Sequence, residues 1–371
     1  MTRVFVGMSG GVDSSVTAAL LVEQGYDVTG VYMKNWSQDL PGMKCPWAED
    51  LADAKRVAVN LGIDFRVFDF EKEYREKVVQ YMIDEYKAGR TPNPDIMCNQ
   101  EVKFRLFLDT ALEQGADMIA TGHYARVMRR PGLTPLNHMS PADAGDGGNA
   151  SAESIQGAQL LRARDEDKDQ TYFLYRVTSE ALAKTLFPLG DYLKSEVRDM
   201  AKERNLWTAS KKESMGVCFV GQVGMREFLS QYVETQPGDI IDRDTNEIVG
   251  RHDGAIFYTL GQRHGLELGG GLPYYVVDKD MEKNIVYVSR NLNAGEIWRH
   301  EIELSDVHWI NDTPADGQEI QVRIRHRAPL ISATLQGSKL LLSEPQRAIT
   351  PGQSAVLYDG DVCLGGGIVL S

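Results

Sequence analysis

Residues Val4-Phe5-Val6-Gly7-Met8-Ser9-Gly10-Gly11-Val12-Asp13-Ser14-Ser15 constrain this chain more than any other stretch. An apolar run too short for a helix passes into Ser-Gly-Gly-x-Asp-Ser-Ser. A helical pattern follows, with Val16, Ala19 and Leu20 on one face and a stop at Gly25. Strand, glycine turn and helix N-terminus together aim backbone N–H groups and the positive end of a helix dipole at an anion. Gly10 and Gly11 permit positive φ and a close approach to a phosphate. Ser9, Ser14 and Ser15 add hydroxyl donors, and Asp13 is a candidate carboxylate for Mg²⁺. The Gly-Lys-Ser/Thr ending of a Walker loop is absent, and the segment holds no lysine.

The pattern that follows alternates strands and helices: strand at 27–34, helix at 47–62, strand at 64–70, helix at 71–89 and strand at 117–127. Repeated βα units predict a doubly wound parallel sheet, whose ligands bind at the carboxyl ends of the strands. Gly7–Ser15, Met33–Asn35 and Thr121–His123 all follow strands and are expected to converge there. Between 131 and 158 the composition shifts to Pro, Gly, Asn, Ala and Ser, which reads as a flexible insertion. Helical patterns return at 179–186 and 194–205. From about Gly221 onward, short β-rich runs are separated by glycine and Asp/Asn turns. The expected architecture is α/β: a catalytic domain over 1–218, a small β-containing central domain over 219–295 and a C-terminal β-barrel over 296–371.

Two further segments carry chemistry. In Gly89-Arg90-Thr91-Pro92-Asn93-Pro94-Asp95-Ile96-Met97-Cys98-Asn99 the two prolines stiffen a loop that presents Asn93 and Asp95. Cys98 is expected near the start of the next helix, where the dipole stabilises a thiolate; a capped helix with a buried thiol fits the same residues. In Lys211–Gly221, Cys218 follows two lysines in a glycine-flanked apolar run, equally suited to a reactive or a buried thiol. The other cysteines, Cys45 and Cys363, read as structural, and no C-x-x-C or clustered Cys/His spacing suggests a metal site. Arg323, Arg325 and Arg327 recur every second residue, so a strand places them on one face. The net charge of −13 argues against a generally nucleic-acid-coating protein but leaves room for one local basic face. No apolar stretch approaches the ~20 residues of a membrane span, and no signal or transit pattern opens the sequence, so a cytoplasmic location is expected.

The first loop resembles the pyrophosphate loop of N-type ATP pyrophosphatases, the adenine nucleotide alpha hydrolase-like enzymes. Together Ser9–Ser15, Gly89–Asn99, Gly122-His123-Tyr124, Lys168–Leu174, Ser214–Gly221, Thr259–Leu266 and Pro351–Val356 resemble the tRNA-uridine 2-sulfurtransferases of the MnmA (TrmU) type. That resemblance implies ATP with Mg²⁺ held by Gly7, Met8, Ser9, Gly10, Gly11, Val12, Asp13 and Ser14, with Met33 and Gly122 lining the site. It implies adenylation of O2 of the wobble uridine (U34), a persulfide on Cys218, and Cys98 as the resolving thiol through a transient Cys98–Cys218 disulfide. Asp95 becomes an acid/base candidate, with Asn93, Pro94 and Asp95 at a target base flipped from its stack. His123, Lys168, Asp169, Gln170, Arg325, His326 and Gln353 match tRNA contacts. The implied partners are tRNAs of the Lys, Glu and Gln types and a persulfide sulfur-donor protein. The sequence departs from the family in its longer 131–158 segment and in Gly221-Gln222-Val223, where Gly-Glu-Arg is common. Two other classes fit parts of the pattern: an amide or argininosuccinate ligase, which needs no paired cysteine, and a non-catalytic module that only senses nucleotide or tRNA.

Overall fold

A computed structural model describes residues 1–39, 45–129, 157–212, 224–269, 272–291 and 298–370. Its N-terminal sheet is parallel: β1 (Arg3–Gly7), β2 (Asp27–Lys34), β3 (Asp64–Asp69) and β4 (Met118–Thr121), with Thr185–Leu186 as a fifth short strand. Their spatial order is β3-β2-β1-β4 and then Thr185–Leu186, so β1 is central. Val4, Phe5 and Val6 are accordingly sealed from solvent, as expected of a strand covered on both faces. Helix α1 (Val12–Glu23) is buried nearly all round, from Val12 through Leu21, rather than along one stripe. It packs against both the sheet and the helix Lys194–Glu203, so its small and apolar residues meet protein on every side.

Helix α2 (Trp47–Leu61) ends in a left-handed Gly62, which accounts for its sharp stop. The stretch read as one strand over 117–127 is two. β4 ends at Thr121, and Arg126–Arg129 belongs to a different sheet. Likewise Ser179–Ala183 is a helix, but Thr185–Leu186 is a strand on the edge of the parallel sheet.

The central unit is a four-stranded sheet ordered Tyr275–Asp280, Ile285–Ser289, Gly238–Asp242, Ile248–His252, with its own core around Ile240, Val276, Val286 and Val288. The C-terminal unit closes six strands into a barrel, because Trp298–Trp309 pairs with both Lys339–Arg347 and Val362–Val369. Two further strands join it from the N-terminal part: Arg126–Arg129 pairs with Ala158–Leu161, which pairs with Val362–Val369. The 131–158 insertion thus leaves and re-enters through a hairpin stitched to the barrel, with Ala158 already in strand; residues 130–156 lie outside those described. Among the described residues no helix is long and apolar enough to cross a membrane.

Candidate active site

The loop after β1 is shaped by its glycines and serines. Gly10 has φ of +74°, and a Cβ there would lie 2.3 Å from the Asp50 carbonyl oxygen on α2, so the turn accepts only glycine. The Ser9 amide donates to Ser14 Oγ at 3.2 Å, and the Ser14 and Ser15 hydroxyls donate to the Gly11 carbonyl at 3.2 and 2.7 Å. Among the described residues no side chain caps α1, which leaves its leading amides available to an anion. Gly122, just beyond β4, crosses the start of α1 so closely that a Cβ would sit 2.8 Å from the Ser14 amide nitrogen and 2.9 Å from the Asp13 carbonyl carbon. Met33 Cε lies 3.0 Å from where a Cβ on Gly7 would stand. The fold therefore gathers Gly7–Ser14, Met33 and Gly122 at one carboxyl edge of the sheet. Beside them, at the end of β2, the buried Asn35 Oδ1 has no hydrogen-bond partner among the described residues.

The sequence reading missed the cation of this edge. Lys194, 9% exposed at the start of the helix Lys194–Glu203, places Nζ 2.7 and 2.8 Å from the two carboxylate oxygens of Asp13. The Tyr124 hydroxyl donates to the same carboxylate at 2.9 Å. Gly190 helps seat Lys194, because a Cβ there would be 2.0 Å from the Ala125 carbonyl oxygen and the turn before the helix is pressed onto the strand end. The signal available was indirect: an anion loop without a lysine needs a positive charge from elsewhere. Asp13 is thus the partner of an ammonium and a phenol.

The second segment differs from expectation. Helix begins at Pro94, where a missing N–H costs nothing, and Asn93 Oδ1 accepts from the Asp95 amide at 3.2 Å as its cap. Asp95 therefore stands in the first helical turn rather than on a loop. Burial raises its carboxyl pKa, partly offset by Lys103. Cys98 comes a turn later, 2% exposed, opening a nine-residue π-helical stretch to Leu106. Helix-dipole effects fade beyond the first turn, so the dipole argument belongs to Asp95's position and not to that of Cys98. Asn99 donates to the Phe173 carbonyl at 2.9 Å while its own Oδ1 is buried without a partner. This helix reaches the sheet edge through Phe104, whose ring packs on His123 at 5.6 Å between centroids.

Both accessory units grip the segment in front of Asp95. The Thr91 amide donates to the Pro351 carbonyl at 3.0 Å, and Gln353 Nε2 donates to the Thr91 carbonyl at 2.6 Å. The hydroxyls of Thr91 and Thr259 are 3.2 Å apart.

The residues matched to RNA contacts fall into two groups. Asp169 is 1% exposed, and its carboxylate accepts from Arg323 at 2.8 Å and from the Thr171 hydroxyl and the Ala163 amide. Gln170 Oε1 accepts from the Tyr124 amide at 2.9 Å. Burial pushes the His123 imidazole well below its usual range, with Lys103 adding to it, and Thr121 Oγ1 lies 2.8 Å from its Nδ1. Arg325 is exposed, while Lys168 and His326 are half-buried, as are His123 and Gln170. His326 packs on Phe173 at 4.5 Å, and burial with Arg327 and Arg323 nearby lowers its pKa to about 4. The one-face arginine stripe is corrected: the strand ends at Arg323, which is buried, and Arg327 adopts a positive φ of 63°. Cys218, and with it the Cys98–Cys218 pairing, lies outside the described residues.

This architecture is an α/β domain with two β accessory units, and three family models match it in register. A tRNA methyl transferase HUP domain covers residues 2–222, a tRNA methyl transferase PRC-barrel domain 226–290, and an aminomethyltransferase beta-barrel domain 299–369. Among curated relatives, the tRNA-specific 2-thiouridylase of Bacillus subtilis is 46% identical over 99% of this chain and 95% of its own. Those of Bacillus velezensis (47%, 99% and 95%) and Alkaliphilus oremlandii (45%, 99% and 97%) are similar in extent. The chain belongs to the tRNA-specific 2-thiouridylase (MnmA) family of sulfurtransferases.

Proposed function

We propose that the protein uses ATP to exchange O2 of the wobble uridine of tRNA for sulfur. The observation that carries this reading is the meeting, at one sheet edge, of an uncapped helix start behind a glycine loop with the helix that bears Asp95 and Cys98. The loop of Gly7–Ser14 fits a polyphosphate: its leading amides are uncapped, and Lys194 supplies the cation that the loop lacks. Gly7, Met33 and Gly122 fit the nucleoside beside it, and the orphaned Asn35 Oδ1 suits a donor such as an exocyclic amine. Magnesium belongs with the phosphates of the nucleotide, since Lys194 already neutralises Asp13.

Uridine O2 attacks the α-phosphorus and pyrophosphate leaves. The terminal sulfur of a Cys218 persulfide then attacks C2, and AMP departs with the oxygen. The Cys98 thiolate attacks the Cys218 sulfur, releasing the thiocarbonyl and forming a Cys98–Cys218 disulfide. Asp95, with its raised pKa, suits proton transfer at the uridine, and Asn93 and Pro94 frame the base. Lys168, Arg325, His326 and Gln353 suit the RNA face, His326 by stacking or hydrogen bonding as a neutral ring; His123, Asp169 and Gln170 act by fixing that face and the strand end. Substrates are tRNAs of the Lys, Glu and Gln types and the sulfur comes from a persulfide donor protein, in the cytoplasm. The units divide after residues 218 and 295.

Unmodified tRNA, ATP–Mg²⁺ and a persulfide-bearing sulfur donor test this, with 2-thiouridine at position 34 read by nucleoside mass spectrometry. Wild type is expected to produce it, and Cys98→Ser and Cys218→Ser to lose it. Pyrophosphate release without a thiolated base would instead favour a ligase-type reaction.

A further inference from the structure

A cavity of about 220 Å³ lies where the three units meet, far larger than the ~30 Å³ share of one water. Gly89, Arg90 and Thr91 form the catalytic-domain wall, Asp278, Lys279 and Met281 the central wall, and Thr350 part of the barrel wall. Arg90 is already neutralised, its guanidinium donating to both carboxylate oxygens of Glu85 at 2.6 and 2.5 Å. Lys279 is not. Its Nζ donates to the Tyr258 carbonyl at 2.9 Å, and no carboxylate among the described residues forms an ion pair with it. A half-buried ammonium whose one hydrogen-bond partner among the described residues is a carbonyl is costly unless an anion completes it. Arg325 adds positive charge behind the barrel wall, with Nη2 3.5 Å from Thr350 Oγ1. Gly89 has φ of +79°, and a Cβ there would be 2.7 Å from Met281 Cγ, so the cavity wall is packed directly against the segment leading to Asn93 and Asp95.

We propose that this three-way cavity is an oxyanion site for a phosphodiester of the RNA substrate, with Lys279 as its cation. Its occupation fixes the segment Gly89–Thr91 ahead of Asp95. The inference rests on the tRNA reading above. Burial without a counter-ion lowers the Lys279 ammonium to about 8, which a bound phosphodiester reverses. The other charged groups around it are Arg90 with Glu85, Asp278 on its own strand and Arg325. Carboxylates and guanidinium groups do not titrate between pH 7 and 9, and burial lifts the Tyr258 phenol above its usual range.

The test is tRNA binding by the full chain across a salt series for wild type, Lys279→Met and Lys279→Arg, with thermal melting as the check on folding. Lys279→Met is expected to weaken binding five- to twentyfold at low salt and to flatten the log K against log salt slope by roughly 0.7–0.9, the loss of one phosphate contact. Lys279→Arg keeps the slope. Inorganic phosphate, as a free probe, competes with tRNA more strongly on wild type than on Lys279→Met. A wild type that loses affinity from pH 7 to 9, beyond any loss in Lys279→Met, agrees. A folded Lys279→Met with unchanged affinity and slope overturns the proposal, as does phosphate that occupies the cavity without displacing tRNA. If Lys279→Met does not fold, wild-type affinity that stays flat from pH 7 to 9 overturns it instead. A wild type that binds no tRNA at all removes the RNA reading as well, which separates the two failures.

Discussion

Gly122→Ala is the sharpest probe of the nucleotide edge. The added methyl carbon would sit 2.8 Å from the Ser14 nitrogen and 2.9 Å from the Asp13 carbonyl carbon, where ordinary contact begins at 3.4 Å. Both neighbours are backbone, so relief requires the first turn of α1 to retreat by about 0.6 Å. Overpacking of this kind costs about 1–3 kcal/mol. The retreat also displaces the amides that face the phosphates, and a misplacement near 1 Å is worth on the order of 10²-fold in rate. We expect kcat/KM for ATP to fall roughly 10- to 100-fold, about 1.4–2.7 kcal/mol, while tRNA affinity changes little. Steady-state thiolation kinetics at varied ATP and a separate tRNA-binding titration measure the two. Gly62→Ala is the control: its φ of +66° strains an alanine, but nothing lies within 4 Å of the new carbon. It should lower stability by about 1 kcal/mol and leave ATP kinetics alone. Wild-type ATP kinetics in Gly122→Ala, or an equal loss in Gly62→Ala, would refute the close-approach argument.

Three other outcomes follow from groups described above. Asp95→Asn should cut thiolation at least 100-fold while melting at the same temperature or higher. A carboxyl whose folded pKa is raised by burial loses its stabilising contribution as pH rises, so at neutral pH the native Asp95 is a burden that Asn removes. Arg323→Met leaves the buried Asp169 carboxylate with only the longer 4.0 Å pair to Arg162 among the described residues and should cost up to roughly 3–5 kcal/mol by denaturant titration, with Asp169→Asn added to it restoring much of the loss. Finally, His123 and His326 are buried as neutral rings with lowered pKa values, so the unfolded chain takes up their protons first. Stability should therefore fall as pH drops from about 6.5 toward 4. The share of half-buried His326 is about 1–2 kcal/mol after discounting for solvent, and His326→Gln should blunt that part of the acid slope in melts taken between pH 4 and 7.

What the sequence made legible was local. The run from Val4 to Ser15 specifies strand, turn and helix through consecutive residues, whereas the prolines at 92 and 94 read as a loop and the second of them in fact opens a helix capped by Asn93. What it hid was set by partners distant in the chain. The break at Gly122–Ala125 exists because Gly122 must pass over α1, a constraint written 108 residues earlier at Ser14. Lys194 reads as one more residue at a helix start until Asp13 is seen opposite it. Arg323 looks like the first member of an exposed alternating stripe, and only the buried Asp169 turns it inward. Alternation reports which residues share a face, but not which face is covered.

The hairpin stitched onto the barrel bears on how the chain is made. The strand Ala158–Leu161 leaves the ribosome about 200 residues before Val362 and Cys363, the two residues it pairs with. At 5–20 residues per second that interval lasts roughly 10–40 s. Throughout it, the nascent N-terminal half carries an open β-edge of the kind that invites pairing with the wrong neighbour. A chain lacking all of its last ten residues would keep that edge for good, so termination before Val362 should yield insoluble protein rather than a smaller working enzyme.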